Sequence, residues 1–503
     1  MAYTRPGVYV TEGPFSTITP SGSGTVAAAF IGQSLRGPVT PTLVTSWTAY
    51  KNLFGDLSAS YNLGYAVYHY FVNGGRDAYI SRNYNSETTT VSAMATRALA
   101  GTIDGTANAS IFTLRAENPG TWGNSLTVTV TAGNAVAPTP SFNLSIKLSG
   151  TEVEAWNELS LNPADDRYIN TVLNTYSTYI RTSGNTASYT SAYTVTAVAN
   201  SAFSGGLEGV AATSTESNNE IINAVERLDS VNQELLINMV GISTTSVVNS
   251  ALSYCENRGD CFLVIDPAAT TIGSDATTAT ASYSASSYGA VYYPKLQMID
   301  PAKSGSAAVR ETFPGGAILG LYSRVEAERT VAKAPAGYGY DIRGAFGLTT
   351  SYTEAEQGTL YTAHINTLKA IPGAGVIING ARTLKKTNIT KYIPTRRSLN
   401  YIKAQCKLRT AFAVFEPNND TLYAQIENTL SKFLSSFWSS GGLKGRTTAE
   451  AFFVTCNSTN NTVNSVEQGE VRVQVGVALQ TPAEFIIIDV TQFTGGTSSQ
   501  ETI

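Results

Sequence analysis

The stretch of residues 382–409, RTLKKTNITKYIPTRRSLNYIKAQCKLR, holds nine Lys and Arg residues and no Asp or Glu. The whole chain carries a formal net charge of −4, so everything outside this stretch is clearly acidic. Positive charge gathered in one segment is typical of a docking surface. Its partner could be a nucleic acid or an acidic protein surface, and the stretch alone leaves both open.

The second half of this stretch predicts an amphipathic helix over residues 396–409. At 100° per residue, Arg396, Lys403 and Lys407 fall within about 20° of one line. Leu399, Ile402 and Cys406 occupy the adjoining face. A stripe of basic side chains beside an apolar face indicates a helix that packs on one side and offers charge on the other.

A second helix is predicted from Asp420 to Trp438, after the candidate caps Asn418 and Asn419 and before Gly441. Its apolar residues recur every three or four positions, at Leu422, Ile426, Leu430, Phe433, Leu434 and Phe437. The two helices together indicate a C-terminal domain with its own core.

Two strands are predicted after these helices. Strict alternation of apolar residues from Val471 to Leu479 indicates a strand with one buried face. The following run is continuously apolar, as expected of a strand buried on both faces, and comprises Phe485, Ile486, Ile487 and Ile488. Residues 491–503 are a polar tail.

The first 24 residues form an arm with one short β-like run, made of Gly7, Val8, Tyr9 and Val10. A polar, glycine-containing tether follows it. A single strand on a tether cannot bury itself and must pair with a sheet edge. That edge belongs either to its own subunit or to a neighbour.

The middle of the chain predicts an α/β domain interrupted by a β-rich insertion. Residues 25–85 and 205–362 alternate strands and helices, including a helix over Trp47–Phe54 capped by Ser46 and a buried strand over Cys261–Ile265. Residues 86–204 are rich in Thr, Ser and Ala with period-2 strands, although residues 165–180 have a more helical pattern. Residues 270–287 are predicted to be a polar loop.

Composition and motifs point away from catalysis. Only two histidines exist, His69 and His364, and neither lies in a recognisable catalytic or metal-binding pattern. The four cysteines lack zinc or disulfide spacing, and no apolar run is long enough to cross a membrane. We therefore expect no catalytic site, no cofactor, no bound metal and no direct membrane insertion, in a protein assembled in a reducing cytoplasm.

Short motifs spread along the chain resemble the tail sheath proteins of contractile bacteriophages. These are Pro6-Gly-Val-Tyr-Val10, Val44-Thr-Ser-Trp47, Phe54-Gly55, Phe71-Val-Asn-Gly-Gly75, Gly120-Thr-Trp-Gly-Asn124, Lys333-Ala-Pro-Ala336, Ile365-Asn366, Gly380-Ala-Arg-Thr-Leu384, Arg396-Arg397, Val414-Phe-Glu-Pro-Asn418, Ala451-Phe-Phe-Val454 and Pro482-Ala-Glu-Phe-Ile486. The family often has Trp where this chain has Asn379 and Ala332. The insertion matches only in patches.

The resemblance implies a non-enzymatic structural protein that stacks as rings or a helix around a tail tube. Such a sheath is assembled extended and metastable, and its contraction drives the tube through the bacterial envelope. The implied partners are other copies of the chain, the tail tube protein, and baseplate and tail terminator proteins, with no nucleic acid. The implied location is the virion tail, assembled in the host cytoplasm.

On this basis we expect a multidomain α+β fold. Residues 1–24 would be an arm joining an inner α/β domain (363–490), residues 25–85 and 205–362 a middle α/β domain, and residues 86–204 a β-rich outer domain. We expect the tube to be faced by Arg396, Lys403, Lys407, Lys444 and Arg446. We expect residues 7–10 and 485–488 to form strands exchanged between subunits, and Arg382 to make a fixed contact inside the fold.

Three alternatives remain open at this point. The basic stretch fits a structural protein that binds nucleic acid. A pair of carboxylates within residues 86–204 would indicate a hydrolase acting on surface carbohydrate. The same resemblance also fits the sheath of a related contractile injection system.

Overall fold

The computed structural model describes residues 26–84, 94–134, 140–183, 192–207, 214–266, 273–484, 492–494 and 497–499. The chain divides into two compact units. The larger unit comprises Thr25–Arg324 and Gly337–Gly380. The C-terminal unit contains Val325–Ala336 and the chain from Ala381 onward.

The larger unit begins with short elements whose ends the sequence marks clearly. In chain order these are β1 (Ala27–Gly32), β2 (Thr42–Val44), α1 (Trp47–Phe54), α2 (Asn62–Val72) and β3 (Ala78–Arg82). The Ser46 hydroxyl accepts a hydrogen bond from the backbone N–H of Ala49 at 3.1 Å, which starts α1 as predicted. Gly55 ends the helix with a φ of 92°, a conformation that favours glycine.

The insertion forms two four-stranded antiparallel sheets. Its elements are β4 (Thr96–Ile103), β5 (Thr106–Ala116), β6 (Leu126–Ala132), β7 (Phe142–Leu148), β8 (Thr151–Leu159), α3 (Ile169–Tyr176), β9 (Ile180–Ser183), β10 (Tyr193–Val195) and β11 (Val198–Ala202). The sheet orders are β10-β4-β5-β9 and β11-β6-β7-β8. Alternate residues of both sheets share one core, in which the rings of Phe112 and Phe142 stack at 5.7 Å. Within residues 165–180, which have a helical pattern, α3 covers Ile169–Tyr176.

Polar contacts close the base of the insertion. The side chain of Asn124 bonds both backbone groups of Gly206, at 2.8 and 2.9 Å, so the start and end of the insertion are tied together. The buried Arg82 donates to the Pro119 carbonyl at 2.9 Å. The Arg36 guanidinium lies 4.6 Å from the centre of the Tyr179 ring. These contacts join the insertion to the α/β part of the same unit.

The chain then returns to alternating helices and strands. These are α4 (Ser214–Glu226), β12 (Leu235–Met239), α5 (Thr245–Arg258), β13 (Cys261–Ile265), α6 (Gly273–Ala281), β14 (Gly289–Tyr293), β15 (Leu296–Ile299), β16 (Val309–Thr312), α7 (Gly315–Glu328), β17 (Ala345–Leu348), α8 (Glu354–Thr362), β18 (Ile365–Ile371) and β19 (Gly375–Asn379).

One eight-stranded sheet organises this part, in the order β19-β18-β14-β13-β12-β1-β3-β2. The six inner strands run parallel, and β19 and β2 are antiparallel edges. Every residue of β12, β13 and β14 is buried, as expected of parallel strands covered on both faces. Strands β15, β16 and β17 form a separate three-stranded sheet.

The structure differs from the sequence prediction at two places in this unit. Residues 273–281 form α6 inside the predicted polar loop, and the Thr280 hydroxyl bonds the Ala276 carbonyl one turn earlier. Strands β18 and β19 lie in the eight-stranded sheet, because Ile365 pairs in parallel with Val291 of β14. The last continuous segment of the C-terminal unit therefore starts at Ala381, eighteen residues beyond the predicted boundary at 363.

The C-terminal unit is mainly helical. Its elements are α9 (Ile393–Arg409), α10 (Asp420–Ser439), α11 (Thr448–Ala451), β20 (Phe452–Thr455), α12 (Val463–Glu467), β21 (Gln474–Val477), β22 (Gln492–Thr494) and β23 (Thr497–Ser499). Asn419 caps α10, and the predicted apolar face of that helix is buried in one cluster with Tyr401 and Ile402 of α9. Val471, Val473, Val475 and Leu479 pack against the same cluster, as their alternation predicted.

Candidate functional site

The first turn of α9 is enclosed on all sides. Every residue from Ile393 to Ser398 is buried, and the Thr395 hydroxyl donates to the Gln480 carbonyl at 3.1 Å. Arg396 is only 2% exposed. The expectation that Arg396 faces a tube does not hold, because the periodicity identified a helix face but not that the chain covers its N-terminal turn completely.

Two arginines of the basic stretch are held by carboxylates of the same unit. Arg382 and Glu484 form a two-point ion pair, with Nε–Oε1 at 3.0 Å and Nη2–Oε2 at 2.6 Å. Arg397, which is almost fully buried, pairs with Glu326. The prediction of a fixed contact for Arg382 is confirmed, and paired forks of this kind are among the stronger polar contacts in proteins.

The sequence patterns did not predict which glutamates pair with Arg382 and Arg397. Arg382 and Glu484 belong to two separate family-like motifs, Gly380-Ala-Arg-Thr-Leu384 and Pro482-Ala-Glu-Phe-Ile486, which lie about one hundred residues apart. Their opposite charges, each inside such a motif, are the sequence feature from which this ion pair could have been predicted. Their contact ties the start of the C-terminal unit to the segment that follows β21.

The remaining predicted basic residues are more accessible. Lys407, Lys444 and Arg446 are exposed, and Lys403 is half-buried. Lys403 and Lys407 are one turn apart on α9, whereas Lys444 and Arg446 follow α10 in the chain. The Lys444 backbone N–H is fixed by the Ala478 carbonyl at 2.9 Å, so this loop has a defined conformation.

A two-stranded sheet forms the β part of the C-terminal unit. Strands β20 and β21 pair antiparallel, Phe452 with Val477 through Thr455 with Gln474. Within the described residues this sheet contains no third strand. Two strands are a minimal sheet, and the edge of such a sheet can pair with a further strand.

The predicted exchange strands cannot be placed. Residues 7–10 and 485–488 lie outside the described residues. Their role as exchanged strands stays a prediction.

Buried ionisable groups of the larger unit serve the fold. Asp266, at the end of β13, accepts hydrogen bonds from Asn238 and from the backbone N–H groups of Gly241 and Gly315. Burial raises its pKa to about 6 despite these donors. Gly315 begins α7, and helix N-termini at this edge of parallel sheets often bind anionic ligands. Here the protein's own carboxylate occupies that position.

Two carboxylates of the insertion are likewise held by neighbouring groups. Glu154 accepts from the Ser177 hydroxyl and the Thr178 backbone, and Glu117 pairs with Arg181. In the described part of the chain, no group of three or more His, Cys, Asp or Glu side chains is placed to hold a metal. All four cysteines are buried free thiols. None of the described helices combines the length and apolar character that a membrane crossing requires.

Comparison with known proteins identifies the family. The phage tail sheath protein central domain matches residues 214–384, and the phage tail sheath C-terminal domain matches residues 385–493, together more than half of the chain. A search of curated proteins gave no match.

Solved structures share the fold at low sequence identity. A chain of the anti-feeding prophage baseplate is 20% identical, with a TM-score of 0.59, over 98% of this chain and 100% of that one. A chain of the contracted PVC sheath complex, from an extracellular contractile injection system, is 21% identical, with a TM-score of 0.57 and 98% of both chains covered. The sheath tail protein Lin1278 from Listeria innocua is 12% identical, with a TM-score of 0.60, over 88% of this chain and 90% of that one. The chain belongs to the phage tail sheath protein family.

Proposed function

We propose that this chain is the structural subunit of a contractile sheath. It polymerises around a tail tube in an extended, metastable state, and contraction drives the tube through a bacterial envelope. Membership of the sheath family supports this role, as do structural neighbours from a contracted sheath and a baseplate. Partners would be other copies of the chain, the tube protein, and baseplate and tail terminator proteins.

The observation that carries the proposal is the two-stranded sheet β20–β21. An arm from a neighbouring copy, residues 7–10, and the apolar run 485–488 would add strands to this sheet. Backbone hydrogen bonds do not depend on the side chains of the partner surface, so such a link can persist while other contacts change. This property suits a polymer whose subunits rearrange without separating.

Deletion of residues 1–12 tests the exchange of strands. The truncated subunit should remain soluble and folded, with an unchanged circular dichroism spectrum, because the described cores do not include these residues. It should fail to form long polymers in negative-stain micrographs. Long hollow tubes formed by the truncated protein would contradict the proposal.

We propose that the tube contact uses the accessible basic residues Lys403, Lys407, Lys444 and Arg446. Exposed ion pairs contribute only about 0–1 kcal/mol each, so many weak contacts can hold an extended state and still release. Replacing Lys403 and Lys407 with Glu should reduce decoration of tubes without changing the melting temperature. Lys432→Glu, an exposed position on α10, is the matched control. Unchanged decoration by the double variant would contradict this assignment.

No nucleotide is required for contraction in this proposal. The free energy would come from repacking of surfaces between the extended and contracted polymers. Charged residues make up only 14% of the chain, so much of its surface can change partners at a small desolvation cost.

A contractile injection system is the second candidate setting, favoured by the anti-feeding prophage and PVC neighbours. A phage origin would place the sheath in a virion tail. Negative-stain microscopy of the protein expressed alone tests the shared part of both, since sheath subunits should form hollow striated tubes. Tail particles that contain DNA-filled heads in the producing cells would separate the phage from the injection system.

The nucleic-acid alternative loses the continuous cationic surface it needs. Arg382 and Arg397 are paired with carboxylates, Arg396 is buried, and the Arg409 guanidinium lies 4.4 Å from the centre of the Phe433 ring. The basic stretch is thus divided between internal contacts, made by Arg382, Arg396 and Arg397, and accessible side chains that include Lys407 and Arg409.

A further inference from the structure

Three large apolar side chains are exposed within eight consecutive residues after the basic helix. Leu408 is 69% exposed at the end of α9, Phe412 is 44% exposed in the following turn, and Phe415 is 87% exposed. Single exposed apolar residues are ordinary, but a local group of them usually marks a surface that another molecule covers.

The backbone holds Phe415 outward in a conformation that costs energy. Its φ is 69°, in the left-handed region that a bulky side chain rarely adopts. Burial of the ring in its own subunit does not offset this cost, because the ring is almost fully exposed. A contact made outside the subunit would bury the ring and add to the stabilisation of this conformation.

This conformation is built into the fold. The Thr410 hydroxyl donates to the Cys406 carbonyl at 2.8 Å, and the Glu416 backbone donates to the Ala413 carbonyl at 3.3 Å. On the other side, the Asn418 side chain donates to the Glu470 carbonyl at 3.1 Å and also contacts the Tyr423 hydroxyl. Phe415 is therefore presented by a turn pinned at both ends.

We propose that Leu408, Phe412 and Phe415 form an interface with a second copy of this chain. Arg409 is exposed beside Leu408 in the chain, and the sequence outside residues 382–409 is acidic, so another copy offers the complementary charge. The inference rests on the proposed function, because it assigns one contact of the polymer.

The position of this surface agrees with strand exchange. Asn418 is hydrogen-bonded to Glu470, and the segment that follows Glu470 leads into β21. Ala413 packs against the same apolar cluster as Val471 and Val473. A neighbouring copy whose arm pairs beside β21 would thus lie next to the turn that carries Phe415.

The variant Phe415→Asn tests whether Phe415 is needed for assembly and not for folding. Asparagine tolerates a positive φ, so the isolated subunit should keep or slightly raise its melting temperature. Loss of the buried ring at an interface should raise the critical concentration for polymerisation about tenfold or more, measured by sedimentation. Tyr176→Asn, which removes an aromatic ring that is 70% exposed on α3, is the control and should leave polymerisation unchanged. A critical concentration equal to that of the wild type would overturn the inference.

A photo-cross-linking amino acid placed at position 415 identifies the occupant. Cross-links between copies of the chain support the inference, and cross-links only to purified tube protein overturn it. If the wild-type protein forms no tubes at all, the proposed function fails, and the same cross-linking in a concentrated subunit solution still decides this contact. Absence of copy-to-copy cross-links there overturns it.

Discussion

Replacing His69 with glutamine is expected to remove the contribution of this histidine to the acid sensitivity of the larger unit. The imidazole lies on α2 and is 3% exposed, and neither ring nitrogen has a hydrogen-bond partner among the described residues. Burial, and secondarily the positive charge of Arg310, lower its pKa from 6.5 to about 4, while Asp300 opposes this shift. The folded protein therefore holds His69 neutral.

The size of the effect follows from the difference in pKa. Above pH 6.5 both the folded and the unfolded chain carry a neutral His69. Its contribution to the free energy of unfolding is therefore constant there. As the pH falls from 6.5 towards 4, the unfolded chain binds a proton that the folded chain excludes. Each pH unit costs about 1.4 kcal/mol, so stability should fall by about 3 kcal/mol across this window.

Urea unfolding of the monomeric subunit at pH 7.0 and pH 4.5 measures this difference. Carboxylates titrate in both the wild type and His69→Gln. The effect of the histidine is therefore the difference between the two proteins in the stability lost from pH 7.0 to pH 4.5. The wild type should lose roughly 2–3 kcal/mol more than the variant between these two pH values. Parallel losses in wild type and His69→Gln would refute the reasoning.

Three further changes test contacts of the two units. Glu484→Gln breaks the two-point pair with Arg382 and should destabilise the C-terminal unit by about 1–3 kcal/mol in urea unfolding. Leu434→Ala opens a cavity in the core of α10 and should cost about 2–5 kcal/mol by the same measurement. Asn124→Ala removes both bonds to Gly206 and should speed hydrogen exchange at the base of the insertion, while its sheet strands remain protected.

Local chemistry made several elements predictable. The Ser46 cap and the Gly55 stop fix the ends of α1, and Asn419 fixes the start of α10. The apolar run Cys261–Ile265 needs no partner information to be read as a buried strand. In these cases the residues that define the element lie within it or beside it.

Long-range pairing explains where prediction failed. Residues 365–379 look like a strand pair that could belong to either unit, and only the parallel register with β14 assigns them to the eight-stranded sheet. Helix α6 is rich in Thr, which disfavours helices, and its identity depends on packing, with Ala276 fully buried. Sequence periodicity carries no information about either partner.

The candidate site likewise combines local features that the sequence predicts with long-range contacts that it does not. The helix over α9 was predictable from its phase, and the accessible positions of Lys407 and Lys444 agree with a surface role. The burial of Arg396 depends on segments distant in the chain, such as the one containing Gln480, which bonds its neighbour Thr395. A helical wheel cannot represent that covering.

The division of charge in the C-terminal unit has a consequence for the proposed sheath. Arg382 and Arg397 are committed to carboxylates of the same unit, so these contacts can persist in every state of the polymer. Lys407 and Lys444 are exposed, and a contact made by either contributes little alone, since solvent screens it. A polymer gains strength from weak contacts by repeating them, and each one can break without unfolding a subunit. In the proposed sheath, internal pairing of the arginines would keep the unit rigid, and the exposed lysines would supply contacts that can be released.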